Sequence, residues 1–194
     1  MDVVLVLLSL PLILPALVCL AVLIRLSDGK SAFFGHTRVG QNGRRFRCWK
    51  LRTMMPDADL ILARHLATDP AAAREWAERR KLEHDPRVTR IGRILRCSSL
   101  DELPQLWNVL RGEMSLVGPR PLTPEEVEQY GPDARHYRAV QPGITGLWQV
   151  QGRNGLRFRE RVAFDVTYAR SVSPDLDFKI LLRTFRVVLA GTGV

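Results

Sequence analysis

The pattern of apolar and polar positions divides this chain at residue 25. Val3 to Ile24 is an uncharged run of about 22 residues, long enough at helical rise to cross a bilayer core. Only Met1-Asp2 precedes it, with no basic leader and no small-residue cleavage site after it, so the run reads as a retained anchor rather than a cleaved signal. Pro11 and Pro15 interrupt its middle. Each removes a backbone donor and crowds the preceding turn. A helix bent there can dip into a bilayer and return to the same face, while an unbent one spans it, and both forms fit the run.

Beyond the anchor the periodicity shortens. Phe33–Val39 and Arg44–Leu51 read as two strands, and Gln41-Asn42-Gly43 between them is a hairpin signal because Asn-Gly tolerates positive φ. Asp57–Thr68 and Pro70–Glu83 read as helices, the second opened by proline and supported by Ala71, Ala72 and Ala73. Val88–Leu95 predicts a short helix with Arg87, Arg90, Arg93 and Arg96 along one side, either a solvated face or a phosphate or headgroup contact.

Ser99-Leu100-Asp101-Glu102 matches a capping box. Leu103, Leu106, Trp107 and Leu110 then form the stripe that would bury the helix. Leu116–Pro121 cannot be regular helix, and Pro121 biases Arg120 to extended backbone. Thr123-Pro124-Glu125-Glu126 is a helix start. Gln141–Val150 reads as a turn followed by a strand. Gln151–Gly155 is a glycine-flanked loop presenting Arg153. Arg157–Ser171 and Asp175–Leu189 read as helices, the last with Ile180, Leu181 and Phe185 against Lys179, Arg183 and Arg186. Such a helix suits either a membrane surface or a core with one wet face. The fold class is therefore α+β, predominantly helical with a small β-hairpin. A membrane anchor occupies residues 1–25 and one compact domain residues 26–194.

Composition sharpens the picture. The formal charge is +9, with pI near 10.3, so anionic partners are favoured. The flank after the anchor is strongly basic: Arg25, Lys30, Arg38, Arg44, Arg45, Arg47, Lys50 and Arg52 against Asp28 alone. That places it on the cytoplasmic side. Cys19, Cys48 and Cys97 are too scattered for a disulfide framework or a metal motif. The four histidines show no paired spacing, which argues against zinc.

Two features carry candidate chemistry. Asp101 and Glu102 are adjacent carboxylates, which a helix start alone also explains. Arg120 is held between Pro119 and Pro121, so it loses little freedom on binding, and its fork matches a phosphate. Lys50 and Arg52 are either solvated edge-strand cations or part of an anion site.

The motifs together resemble the bacterial sugar transferase family, the small monotopic phosphoglycosyl transferases. The resemblance rests on Arg38-Val39-Gly40, Lys50-Leu51-Arg52-Thr53-Met54, the block from Ser99 through Asp101-Glu102-Leu103-Pro104-Gln105 to Gly112, and Gly118-Pro119-Arg120-Pro121. Pro142-Gly143-Ile144-Thr145-Gly146, Gly152-Arg153-Asn154 and Asp165 extend it. Leu14 stands where that family usually has a serine before the proline, here Pro15.

The resemblance implies transfer of a sugar 1-phosphate from a UDP-sugar to a polyprenyl phosphate, usually undecaprenyl phosphate, with release of UMP. It implies Mg²⁺, Asp101 as nucleophile and Glu102 as its acidic, metal-binding neighbour. It also implies a substrate site including Lys50, Arg52, Pro119, Arg120, Arg153 and Asp165, and a re-entrant anchor bent at Pro15 or Pro11. Membrane lipids are then partners, at the cytoplasmic face of a bacterial inner membrane, and a homodimer is allowed. Two rivals stand beside it. One is single displacement with Asp101 as a base. The other is a non-catalytic binder of anionic lipid or nucleic acid, against which the paired carboxylates and few aromatics argue.

Overall fold

The computed structural model describes residues 1–79, 82–152 and 156–189. Helix α1 (Asp2–Asp28) contains both prolines and closes at Gly29, whose positive φ of 72° lets its N–H reach Arg25 O. Its most apolar window has a mean hydropathy of 2.9, yet only 6% of that window is buried. A core helix of that composition would be covered by protein. The ends of α1 are the parts in contact with the rest of the chain. Near the start, Val6 packs with Phe46, Cys48, Val109 and Met114, and Asp2 accepts hydrogen bonds from Ser115 Oγ and Leu116 N. Near the finish, Ile24 packs with Ala32, Leu51 and Leu95, joined by Leu17, Leu20 and Ala21. Pro11, Leu12, Leu14, Pro15 and Ala16, in between, are exposed.

The hairpin forms as the Asn-Gly signal predicts. Strands β1 (Phe33–Val39) and β2 (Arg45–Leu51) pair antiparallel, with Val39 opposite Arg45. Asn42 and Gly43 take positive φ in the turn. The other edge of β2 meets a side chain instead of a strand. Asn108, on helix α5 (Gln105–Leu110), is fully buried. Its Oδ1 accepts from Trp49 N at 3.1 Å, and its Nδ2 donates to Arg47 O at 2.8 Å and to Glu113 Oε2 at 2.6 Å. One amide thus mimics a strand and pins α5 along β2.

Helix α2 (Ala58–Thr68) follows as expected, and α3 (Pro70–Arg79) starts at the predicted proline, but Glu83, its expected end, lies outside the helix. Helix α4 (Arg90–Ser98) begins two residues later than predicted, because Val88 pairs with Met54 and Thr89 caps the helix. The arginine stripe does not form one face. Arg87 is buried, paired with Asp85 and stacked on Trp76, and Arg96 donates to Thr53 Oγ1. Gly92 lies directly against Thr53, where a Cβ would meet Thr53 O at 2.0 Å.

The expected capping box at Ser99 is absent. Ser99 takes φ 58°, ends α4 and opens a 3-10 turn over Leu100–Glu102 with no side-chain cap. Leu106 and Leu110 pack inward as predicted, but Trp107 is 56% exposed. A six-residue helix has room for only two inward positions once Asn108 and Val109 take the face toward β2.

Strand β3 (Ser115–Val117) lies parallel to β4 (Gly143–Thr145), and helices α6 (Pro124–Gln129) and α7 (Ala134–Ala139) occupy the crossover. The predicted helix start at Thr123 forms, and Thr123 and Glu126 complete a capping box there. The strand expected to run to Val150 stops at Thr145, and Leu147–Gln151 is helix α8. Backbone contact explains the stop. A Cβ on Gly143 would meet Gly118 N at 2.0 Å, and one on Gly146 would meet Gly118 O at 2.2 Å. The two segments touch backbone to backbone, leaving no room for a longer ladder.

Helices α9 (Phe158–Ser171) and α10 (Pro174–Leu189) close the domain. Ile180 of α10 is buried with Val117, Leu147 and Tyr168, while Phe178, Leu182 and Phe185 face outward. Of the apolar positions singled out on this helix, Ile180 and Leu181 pack inward and Phe185 does not. Asp165 of α9 is buried beside a core of Val39, Leu122, Tyr130, Tyr137 and Val162, and accepts from Tyr130 OH at 2.8 Å. Burial pushes its carboxyl up to about 7, with the Tyr130 hydroxyl pulling the other way. A carboxyl that binds its proton more readily folded than unfolded stabilises the fold at low pH. That contribution is lost as pH rises from about 4 through about 7.

Replacing Asn108 with leucine leaves the Trp49 N–H and Arg47 C=O unpaired, and urea denaturation should show a loss of ~2–4 kcal/mol. Asp165→Asn keeps an acceptor for Tyr130 and removes the ionisation. Its stability relative to wild type should rise by up to ~4 kcal/mol between pH 4 and pH 8, read from urea midpoints across that range. A parallel pair of curves would refute the assignment.

Candidate active site

The pinning of α5 on β2 decides where the carboxylates go. The 3-10 turn carrying Asp101 and Glu102 precedes α5 by two residues, and Lys50 follows Trp49 on β2. The turn and the strand therefore meet. Lys50 Nζ stands 2.5 Å from Glu102 Oε1 and 3.6 Å from Asp101 Oδ2. The positive φ at Ser99 turns the chain out of α4 so that both carboxylates can reach β2. Non-glycine residues in that region carry strain that tends to collect at working sites.

Around this contact lies one cleft. Its cations are Arg38, Lys50 and Arg120. Its carboxylate is Glu102, with Asp101 alongside. Gln105 and Gln149 supply amides, and Cys48, Pro121 and Ile144 complete the wall. Arg38 is paired with Glu126 and Lys50 with Glu102 and Asp101, which leaves Arg120 as the cation without an ion pair among the described residues, placed to meet an anionic ligand. Arg38 is steadied by Pro121 O at 3.2 Å and Glu126 Oε2 at 3.1 Å. Arg120 is exposed at the rim and makes no hydrogen bond among the described residues.

The electrostatics separate the two carboxyls. Burial raises Asp101, opposed by Lys50 and reinforced by the charge of Glu102, and its pKa ends above the ordinary value. Burial works on Glu102 in the same direction. Lys50, Arg120 and hydrogen bonding from Lys50 and Gln105 more than offset it, so Glu102 is held below its usual range. Glu102 is thus a fixed negative charge, and Asp101 is a more basic oxygen in a drier place. Burial pushes the Cys48 thiol up to about 11, which keeps it protonated and a poor nucleophile.

Of the residues singled out in the sequence, Asp101, Glu102, Lys50 and Arg120 converge. Pro119 is fully buried beneath the loop, its carbonyl accepting from Gly143 N at 2.8 Å, and so acts as a spacer for Arg120. Arg52 lies outside the cleft, its guanidinium taken by Asp28 and Ser31 O at the end of α1. Asp165 sits in the core described above. Arg153 falls outside the described residues. Pro11 and Pro15 lie in the exposed middle of α1.

The cleft also contains Arg38, Gln105 and Gln149, which motif reading alone did not assign. Arg38 was within reach: pairing across the Asn-Gly turn sets it opposite Phe46, and Phe46, Cys48 and Lys50 share a face by alternation. Gln149 gave no such signal, because its segment read as strand.

A metal fits the donor set in one way. No group of three or more His, Cys, Asp or Glu side chains suited to a metal occurs among the described residues. Two adjacent carboxylates match Mg²⁺ when substrate phosphates and waters supply the other ligands.

Comparison with known proteins matches this arrangement to one family. The profile described as bacterial sugar transferase matches residues 1–191. The chain is 50% identical to the UDP-galactose-lipid carrier transferase of Erwinia amylovora, over 94% of this chain and 38% of that protein. It is 46% identical to the exopolysaccharide production protein ExoY of Sinorhizobium fredii, over 99% of this chain and 85% of that one. It is 48% identical to the undecaprenyl-phosphate galactose phosphotransferase of Salmonella typhimurium, over 86% of this chain and 35% of that one. The chain thus spans between about a third and most of the length of these relatives. With the family profile covering nearly every residue and the paired carboxylates set in a cationic cleft, the chain belongs to the bacterial sugar transferase family.

Proposed function

We propose that this protein is a phosphoglycosyl transferase that moves a sugar 1-phosphate from a UDP-sugar to undecaprenyl phosphate, giving UMP and a polyprenyl-diphosphate-sugar. The observation that carries the reading is the meeting of Asp101 and Glu102 with Lys50 inside the Arg38–Arg120 cleft. The names of the relatives, which specify a UDP-galactose-lipid carrier and an undecaprenyl-phosphate phosphotransferase, support the substrate classes.

The reaction runs in two displacements. An Asp101 carboxylate oxygen attacks the phosphorus that bears the sugar. The bond from that phosphorus to the bridging oxygen breaks, and UMP leaves with the electron pair. An oxygen of undecaprenyl phosphate then attacks the same phosphorus and the Asp101 carboxylate departs. Asp101 needs no base, since a carboxylate is ionised at neutral pH. Glu102, kept ionised, holds Lys50 in place, and Lys50 with Arg38 and Arg120 offsets the charge of the diphosphate. Asp101 and Glu102 would hold Mg²⁺, which when bound lowers the repulsion between carboxylate and phosphate.

The acceptor phosphate lies at a bilayer surface, and the fold supports a position there. Both ends of α1 pack on the same body, which supports a helix that enters and leaves the lipid on one face. Residues 1–25 then form a re-entrant anchor whose exposed Pro11–Pro15 middle enters the lipid. Residues 26–194 form the catalytic domain on the cytoplasmic face, consistent with its basic flank. The outward Phe178, Leu182 and Phe185 of α10, between Lys179, Arg183 and Arg186, suit the headgroup boundary.

Given UDP-sugar and Mg²⁺ without acceptor, the wild-type protein should release about one equivalent of UMP and gain a phosphosugar mass on Asp101. Asp101→Asn should do neither and remain folded. UMP release that waits for undecaprenyl phosphate would replace this route with single displacement. For the anchor, a protease-sensitive tag ahead of Met1 should be cut in inside-out vesicles and protected in intact spheroplasts. The reverse pattern means that α1 spans.

A further inference from the structure

The cleft holds one polar atom that the fold leaves without a partner. Gln149 of α8 lines the wall near Lys50, Glu102 and Arg120. Its Nε2 donates to Ile144 O at 3.1 Å. That bond settles the amide's orientation, since turning it over would set two acceptor oxygens against each other. Oε1 must therefore face the other way, where it is buried and accepts nothing. It is the only such buried side-chain atom among the described residues. Native folds seldom leave a buried acceptor unpaired without a use. Gly146 makes room for Oε1 itself, since a Cβ there would stand 2.6 Å from it.

The surroundings restrict what can pair with Oε1. A phosphate oxygen is an acceptor and has nothing to give an amide oxygen. Arg38 is engaged by Pro121 O and Glu126, and Lys50 by Glu102 and Asp101. With Arg120 assigned to the diphosphate in the reading above, the ligand supplies the partner as a neutral N–H or O–H. A UDP-sugar carries such groups on either side of its diphosphate: the imide N–H of uracil, the ribose hydroxyls and the sugar hydroxyls.

We propose that Gln149 Oε1 accepts a hydrogen bond from one of these neutral donors, making Gln149 a specificity-determining residue for the nucleotide-sugar. The inference rests on the UDP-sugar reading above. A site built around an unpaired acceptor rejects a ligand that lacks the matching donor, because the acceptor is then desolvated for nothing.

The test uses UDP-galactose or UDP-glucose, whichever releases UMP from the wild-type protein. Its analogues are methylated at uracil N3, deoxygenated on the ribose, or deoxygenated at single sugar positions. One analogue should lose about 10- to 100-fold in kcat/KM with wild type. Gln149→Met should lose a similar factor on the parent compound and no longer distinguish parent from analogue, the two losses failing to add. Competition by UMP separates the sources. Weakened UMP binding by Gln149→Met assigns the contact to base or ribose, and unchanged UMP binding assigns it to the sugar. Full rates on every analogue overturn the proposal, as does a variant that discriminates as wild type does. Should Gln149→Met fail to fold, the analogue series on wild type decides alone. No UMP release from any UDP-sugar would instead remove the donor reading itself, and this contact with it.

Discussion

The buried amide of Asn108 is the constraint on which the site depends. It closes the outer edge of β2 with one donor and one acceptor, so a short helix can stand where a third strand would otherwise be needed. That registration, together with the positive-φ turn at Ser99, brings Lys50 and the Asp101–Glu102 turn into contact. A fully buried side chain making three hydrogen bonds tolerates little displacement, since any shift leaves backbone groups unpaired in a dry place. Rigidity of this kind suits chemistry in which charge neutralisation and position supply most of the rate.

The second wall of the cleft is made rigid by different means. Gly118, Gly143 and Gly146 allow two backbone segments to touch, and the flanking prolines fix the path between them. Arg120 is carried out to the rim on this stiff arm, while Arg38 is held by the carbonyl of Pro121 at its base. The cleft therefore has two independently braced sides, each presenting cations, with the carboxylates between them. Like charge on nucleophile and diphosphate is the main obstacle to the proposed reaction, and the placement of Lys50, Arg38 and Arg120 addresses it directly.

The anchor is joined to the same framework. Val6 packs on Phe46, Cys48 and Val109, and Ile24 on Leu51 and Leu95, so α1 rests on the very hairpin that carries Lys50. Asp2 reaches Ser115 and Leu116, next to the arm that bears Arg120. Arg52, adjacent in sequence to the cleft residues, works at this junction through Asp28. The position of α1 relative to the carboxylates is thus set by packed contacts and not by a flexible tether.

Local patterns determined a good deal of this. The long apolar run, the Asn-Gly hairpin, the Thr123–Glu126 cap and the non-helical Gly118–Pro121 arm each follow from steric or hydrogen-bonding rules that act within a few residues, and all four formed. The pair Asp101-Glu102 was visible for the same reason, as two adjacent carboxylates near a proline-held arginine. Tertiary structure decided what those rules cannot reach. The capping box at Ser99 gave way to a positive-φ turn, because the chain there must leave α4 and cross to β2. Arg87 and Arg96 left their expected stripe, Arg87 for Asp85 two residues back and the Trp76 ring, and Arg96 for Thr53 far back in the chain. Leu147–Val150 became helical where backbone contact ended the ladder, and only then did Gln149 enter the cleft. Residue identity determined which groups could do chemistry. Which of them share one cleft was decided by contacts between segments far apart in sequence, since burial and hydrogen-bond pairing are settled between elements and not within them.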